Sequence, residues 1–346
     1  MAEKNKTLIP SLLKWHQNNR RKLPWRQNPN PYSVWISEIM LQQTVVRAVI
    51  PFYKRWMERY PDVFRLSKAG EHEVLRLWEG LGYYNRARNI LKTARIIVSE
   101  YKGKFPSDYH EQVRLPGIGD YTASAIGSIA FGLARPAIDA NVKRVARRLF
   151  GMLKWDNKNE KRLRQNLEEM IPQDRPGDFN QAFMELGQTV CTMDRPRCTE
   201  CPVQRFCVAW EKHLQDRIPG KKKRKILHKE TKLLIAVCRD KILIRQKKSG
   251  ILKGLWVLVS QNGDEPAADS IAAVIRKKGK LMTKLPERIH YYTRYRDRLT
   301  PYVYRVARPF KLKEKNLAWV RMKDLANYPF PSVYRKILND LEKMID

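Results

Sequence analysis

Four cysteines in one short stretch, Cys191, Cys198, Cys201 and Cys207, follow the spacing C-x6-C-x2-C-x5-C. Two of these gaps are too wide for a paired CxxC zinc ribbon, and four thiolates on one short loop suit a cubic iron–sulfur cluster. An irregular zinc site with four thiolate ligands is the alternative. Two disulfides fit poorly. The chain has five cysteines in all, with no signal peptide and no transmembrane run, which points to a reducing interior. Arg195, Pro196, Arg197, Pro202 and Arg205 sit on or beside the loop and give it a rim suited to phosphate. Cys238 lies outside the pattern, in an apolar run, and is expected to be a small buried hydrophobe.

Two carboxylates stand where they could do acid–base work. By helical spacing Glu38 falls among Trp35, Ile39 and Leu41, surroundings that raise a carboxyl pKa and keep it available as an acid. A solvated helix glutamate is the plainer alternative. Asp139 precedes an amphipathic, arginine-bearing stretch and reads first as a helix N-cap. Between them, L-P-G-I-G at 115–119 precedes a helical run over 121–131. Gly117 and Gly119 let the backbone turn sharply and present amides at a helix N-terminus, an anion site by geometry and dipole. An ordinary Pro-Gly loop would look the same in isolation.

The elements that must position these groups divide the chain in two. From residue 8 to about 210 the periodicity is helical: Leu8, Leu12 and Trp15 share a face, as do Leu91, Ala94, Ile97, Val98 and Tyr101. Prolines cut this region into short helices. No fixed-period repeat is visible, so a solenoid is not expected. Pro219-Gly220 and the basic run 221–225 read as a linker that could track a phosphate backbone. Beyond it, 233–238, 241–245 and 254–259 are short β-prone runs, the first two joined by a tight turn at Arg239-Asp240; 270–278 reads as a helix and 302–306 as a strand. The expected architecture is mainly α over 1–218, a linker over 219–230 and a smaller α+β domain over 231–346.

The 346 residues carry 69 Lys and Arg against 35 Asp and Glu, a net charge of +34. Such an excess strains a compact fold and is best relieved by a polyanion. Without an apolar anchor, nucleic acid is favoured over a membrane. A cytoplasmic, nucleoid-associated monomer is expected.

The L-P-G-I-G turn, between helical segments and a four-cysteine loop, resembles the helix-hairpin-helix of the endonuclease III superfamily of DNA glycosylases. Within that superfamily the string S-E-I-M-L-Q-Q-T at 37–44 is similar to the signature of the MutY-type adenine DNA glycosylases. L-P-W-R at 23–26, W-E-G-L-G-Y-Y at 78–84, A-I-D-A-N-V-K-R-V at 137–145, residues 179–187 and the cysteine spacing carry the same likeness across almost the whole helical part. The resemblance implies a bundle that grips double-stranded DNA by its backbone, a [4Fe–4S] cluster on the four cysteines, and excision of adenine mispaired with 8-oxoguanine or guanine. It implies that Glu38 protonates the departing adenine, that Asp139 stabilises the sugar cation, and that Tyr121 and Asn141 support these carboxylates. Arg26 and Glu185 would contact the extruded base. Gln43 and Tyr83, with Thr44 beside them, would fill the gap and hold the opposite strand.

Strand-cleaving members of the superfamily carry a lysine where this chain has Tyr121, so no Schiff base is expected there. The competing readings are a glycosylase with lyase activity like endonuclease III, an adenine glycosylase of altered opposite-base specificity, and a non-catalytic iron–sulfur protein that binds DNA. The C-terminal part resembles a Nudix domain, notably at Gly254-Leu255-Trp256. Its helix lacks the glutamates that hold Mg²⁺ in a Nudix hydrolase, so a clamp on DNA is expected rather than a pyrophosphatase. There the family usually carries a Phe-Ser-His loop that senses 8-oxoguanine, and this chain has Tyr292, Thr293 and Arg294. An arginine suits the O6 and N7 acceptors of undamaged guanine, so a narrower preference for the lesion is expected.

Overall fold

A computed structural model describes residues 2–220, 226–261, 266–310, 314 and 316–345. The basic run at 221–225 lies outside the described residues. Two compact units emerge from the packing. The first takes in residues up to Lys68 and from Asn89 through the cysteine loop; the second joins Ala69–Arg88 to the C-terminal residues. Among the described residues no helix is long and apolar enough to cross a membrane.

The first unit is helical, as the periodicity implied. Local chemistry starts its helices: Asn30 and Ser33 form a reciprocal capping box on Pro31–Leu41, and the side chains of Asp62, Asp108, Asp139 and Asp156 each accept from a backbone amide three residues on. One core gathers Leu8 and Leu12 from Ala2–Asn19, Val142, Val145 and Leu149 from Ala140–Leu149, and Phe179 and Phe183 from Pro176–Thr189. Trp35 and Trp56 are wholly buried, and Trp56 Nε1 donates to the Tyr32 hydroxyl on the helix Pro31–Leu41 at 3.3 Å.

In the second unit a mixed sheet is held between two helices. Its strands are β1 (Leu227–Cys238), β2 (Lys241–Gln246), β3 (Trp256–Val257), β4 (Val259–Gln261), β5 (Gly279–Lys284), β6 (Arg288–Tyr292), β7 (Tyr295–Val306) and β8 (Leu317–Arg321). The main order is β3-β2-β1-β7-β5, with β4 also on β1, β6 on β7 and β8 on β2. β1 and β7 run parallel over their length. Alternation sorts their side chains: Leu233, Ile235 and Val237 pack with the helix Ser332–Ile345, whereas Leu234, Ala236 and Cys238 pack with Pro266–Lys278. Cys238 is a buried hydrophobe, as its neighbours suggested.

The structure adds to the sequence reading here. The expected strand at 254–259 is two short strands broken at Leu258, and the helix begins at Pro266 rather than 270. β5, β6 and β8 had no strong period-2 signal. The segment 69–88 is built into this unit. Glu79 accepts from Arg335 Nε at 2.8 Å and from the Phe330 amide at 3.1 Å, and the Tyr84 hydroxyl donates to the Phe330 carbonyl at 3.2 Å.

Candidate active site

The helix Asp120–Phe131 starts directly after the hairpin turn. Gly117 has φ +80°, and a Cβ there would stand 2.7 Å from the Asn89 Cβ, so both conformation and space demand glycine. Gly119 is the N-cap with extended backbone, and Thr93 ties the turn down through a 2.8 Å bond to the Pro116 carbonyl. The turn therefore leaves the first amides of this helix at its N-terminus, as the sequence implied.

The second residue of that helix is Tyr121, whose hydroxyl donates to Glu38 Oε2 at 2.6 Å. Glu38 is buried on Pro31–Leu41. Burial, helped by the charge of Asp139, pushes its pKa up to about 7 against the opposing effects of Tyr121 and Arg26. A carboxyl in this state can give a proton near neutrality. The Tyr121 phenol is driven well above its ordinary range by burial and by both carboxylates, so it stays a donor.

Asp139 caps its helix and serves the site at once. Oδ1 accepts from the Val142 amide at 2.6 Å and Oδ2 from the Asn141 amide nitrogen at 2.8 Å. Burial raises its pKa, opposed by those bonds. Asn141 in turn accepts from Arg144, whose guanidinium also reaches the carbonyls of Gly187 at 2.7 Å and Cys191 at 2.9 Å. A continuous chain of hydrogen bonds thus runs from Asp139 to the first cysteine of the loop.

Glu38 lines a cavity of about 740 Å³ with Trp25, Arg26, Ser37, Met184 and Glu185. Glu185 is 1% exposed and is gripped by Arg26 at 2.9 Å and by Arg21 in a shorter contact. Burial alone would raise its pKa, but the two arginines hold it below the ordinary carboxylate range, so it remains an anionic acceptor. Arg21, Ser37 and Met184 were not legible as site residues. Arg21 reads locally as part of a basic run, and only folding brings it to Glu185, 164 residues away.

The four cysteines carry free thiols and line one cavity with Arg148, Pro196, Arg197 and Trp210. Arg148 donates to Cys191 Sγ at 3.4 Å and to the Thr192 carbonyl at 2.6 Å. Burial first, then neighbouring thiols, raise the pKa of Cys198 and push that of Cys201 up to about 12. Cys198, Cys201 and Cys207 are thus held protonated without a cationic centre, and a cluster of four thiols fits a metal group. Among the described residues no group of three or more His, Cys, Asp or Glu is drawn closely enough to hold a metal ion. The four cysteines nonetheless line a single cavity.

Gln43 and Tyr83 are exposed and have positive φ, +55° and +49°, a conformation that costs a non-glycine residue energy and gathers at functional surfaces. Thr44 Oγ1 donates to the Gln42 carbonyl at 3.2 Å. In the second unit, Thr293 sits at the β6–β7 turn with φ +49°, and Arg294 is exposed beside it, 5.8 Å from the Tyr295 ring. Tyr292 is turned inward. Its hydroxyl donates to buried Asp297 at 3.3 Å and its ring stacks on Tyr295 at 5.4 Å.

Comparisons with known proteins bear on the family and the fold. Residues 36–173 match the HhH-GPD superfamily of base excision DNA repair proteins, and residues 232–340 match the NUDIX domain. An adenine DNA glycosylase of Buchnera aphidicola subsp. Acyrthosiphon pisum is 34% identical over 96% of this chain and 97% of that protein. The adenine DNA glycosylase of Homo sapiens is 43% identical over 60% of this chain and 40% of its own length. A thermostable thymine-DNA glycosylase superposes with TM-score 0.57 at 30% identity, covering 61% of this chain and 98% of that one. Endonuclease III in a non-covalent DNA complex gives TM-score 0.54 at 26% identity, over 62% and 99% of the two chains.

Proposed function

The chain belongs to the adenine DNA glycosylases of base excision repair, and on that premise we propose that it hydrolyses the glycosidic bond of adenine opposite 8-oxoguanine or guanine and leaves the strand uncut. The observation that carries this reading is the pairing of a buried acid whose pKa is raised to about 7, Glu38, with an anionic acceptor, Glu185, along one cavity with room for an extruded base. Adenine extruded from duplex DNA enters that cavity. Glu38 protonates a ring nitrogen, so that the base leaves neutral. Tyr121 holds one oxygen of Glu38, and the proton rides on the other. The oxocarbenium-like sugar left behind is met by Asp139, which Asn141 and the Val142 amide hold in place. Glu38, now ionised, takes a proton from the water that completes the reaction. Arg21 and Arg26 keep Glu185 charged and oriented toward the base.

Backbone amides after Gly117 and Gly119 bind a phosphate, and Gln43, Thr44 and Tyr83 meet the duplex where adenine has left. Cys191, Cys198, Cys201 and Cys207 hold a [4Fe–4S] cluster, which when bound ties the loop together and supplies a one-electron redox centre. Thr293 and Arg294, exposed at the turn that follows Tyr292, read the base opposite adenine. A repair enzyme works where the genome is, so a cytoplasmic, nucleoid-associated monomer goes with this reading.

Single-turnover excision measured on A:8-oxoguanine, A:G, A:C and A:T duplexes tests it. Release from the first two, with A:T spared and a modest gap between lesion and guanine, is expected. Failure to release adenine from any duplex overturns the reading. A large lesion preference that survives Arg294→Ala moves discrimination away from this turn.

A further inference from the structure

The sheet of the second unit is covered unevenly. The helix Pro266–Lys278 packs on the even-numbered residues of β1 only from Leu234 onward. Nearer the start of β1 the same face is bare: His228, Glu230 and Lys232 are exposed. Their register partners on β7 are Arg296, Arg298 and Thr300, and across β6 Tyr291 pairs with Arg296 and Ile289 with Arg298. Because adjacent strand residues point to opposite faces, Tyr291 emerges on this bare face while Tyr292 goes under it. Tyr291 is 65% exposed, although an aromatic ring of its size is normally covered. Arg296 Nε donates to its hydroxyl at 3.2 Å, steadying the ring. Arg298 is only loosely balanced by Glu230 at 3.5 Å.

We propose that this open face is a DNA-binding surface, on which Arg296 and Arg298 take phosphates of the substrate duplex and Tyr291 packs against an unstacked base. It rests on the reading of the chain as a glycosylase acting on duplex DNA. Charge decides the occupant. Lys232, Lys284, Arg296 and Arg298 outnumber Glu230 and Glu287 around an exposed ring, in a chain of net charge +34, which is the composition of a nucleic-acid platform. A protein interface would instead want a broader apolar centre.

The test uses the full chain and a fluorescein-labelled duplex holding a stable abasic analogue opposite guanine, with dissociation constants taken across a salt series. Tyr291→Ala should weaken binding roughly 5- to 150-fold, the range one base–aromatic stack is worth. Tyr291→Phe should bind like the parent. Combined Arg296→Ala and Arg298→Ala should lower the slope of log affinity against log salt by about 2, one for each phosphate lost. Thermal midpoints matching the parent show that these exposed changes leave the fold intact. Unchanged affinity and slope in both variants overturn the inference. So does a concentration-dependent dimer that the variants dissolve while DNA affinity holds, since that gives the face to a second copy. Adenine release by the parent protein is scored separately, so that loss of this surface and loss of the glycosylase reading remain distinguishable.

Discussion

The hydroxyl of Tyr121 donates to Oε2 of Glu38 at 2.6 Å, so the helix that follows the glycine turn at 117–119 also steadies the proposed acid. Since Tyr121 keeps its proton throughout the working range, the ionisation that matters at this contact is that of Glu38.

The first consequence is a pH profile. The Glu38 pKa is raised from 4.5 to about 7, so the acid form persists to neutrality. Single-turnover excision should fall about tenfold per pH unit above roughly pH 7. Asp139 must be ionised, and its raised pKa should give a limb on the acid side. A rate that keeps climbing through alkaline pH would rule Glu38 out as the acid.

Stability should fall with rising pH in the same sense as activity. A raised folded pKa means that Glu38 favours the fold fully below pH 4.5 and loses that contribution as pH rises through about 7. Glu38→Gln, which cannot ionise, should therefore unfold at higher temperature than the parent near pH 8, by ~3 kcal/mol at most. The two should converge in acid. Melting curves across pH decide it, and equal curves would mean that the carboxyl is not desolvated.

Asp139→Asn separates chemistry from folding. Asparagine caps a helix as well as aspartate does, so Ala140–Leu149 should survive the change. Excision should drop by roughly 10²-fold or more because the sugar cation loses its anion. DNA affinity, which comes chiefly from phosphate contacts, should hold. Near-parental excision would leave Asp139 as a cap only.

The product should be an abasic site in an intact strand, cut only by later alkali, because Tyr121 offers no amine. Borohydride should trap little protein–DNA adduct. Tyr121→Lys supplies the missing nucleophile and should raise trapping, at a cost to excision from the lost bond to Glu38. Substantial trapping by the parent would contradict the assignment.

Purified protein should be brown with about four irons per chain. Cys198→Ser should deplete iron and weaken DNA binding more than it unfolds the helical core, whose packing lies mainly outside the loop. Stoichiometric zinc after anaerobic purification would replace the cluster with a single-ion site.

Local chemistry made much of this molecule readable. The cysteine spacing, the apolar neighbours of Glu38, the capping position of Asp139 and the glycine turn at 117–119 are each set within a few residues, as are the helical periods that carry them. What folding decided involves partners far apart in the chain. Arg21 meets Glu185 across 164 residues, and Glu79 meets Arg335 across 256, drawing 69–88 into the second unit. β5 and β6 are polar edge segments that earn strand geometry only through bonds to β7. Tyr291 and Tyr292 look interchangeable as neighbouring tyrosines. Which ring faces solvent and which rests on Asp297 depends on strand register, and register is settled by burying Leu299 and Val303 beneath the sheet.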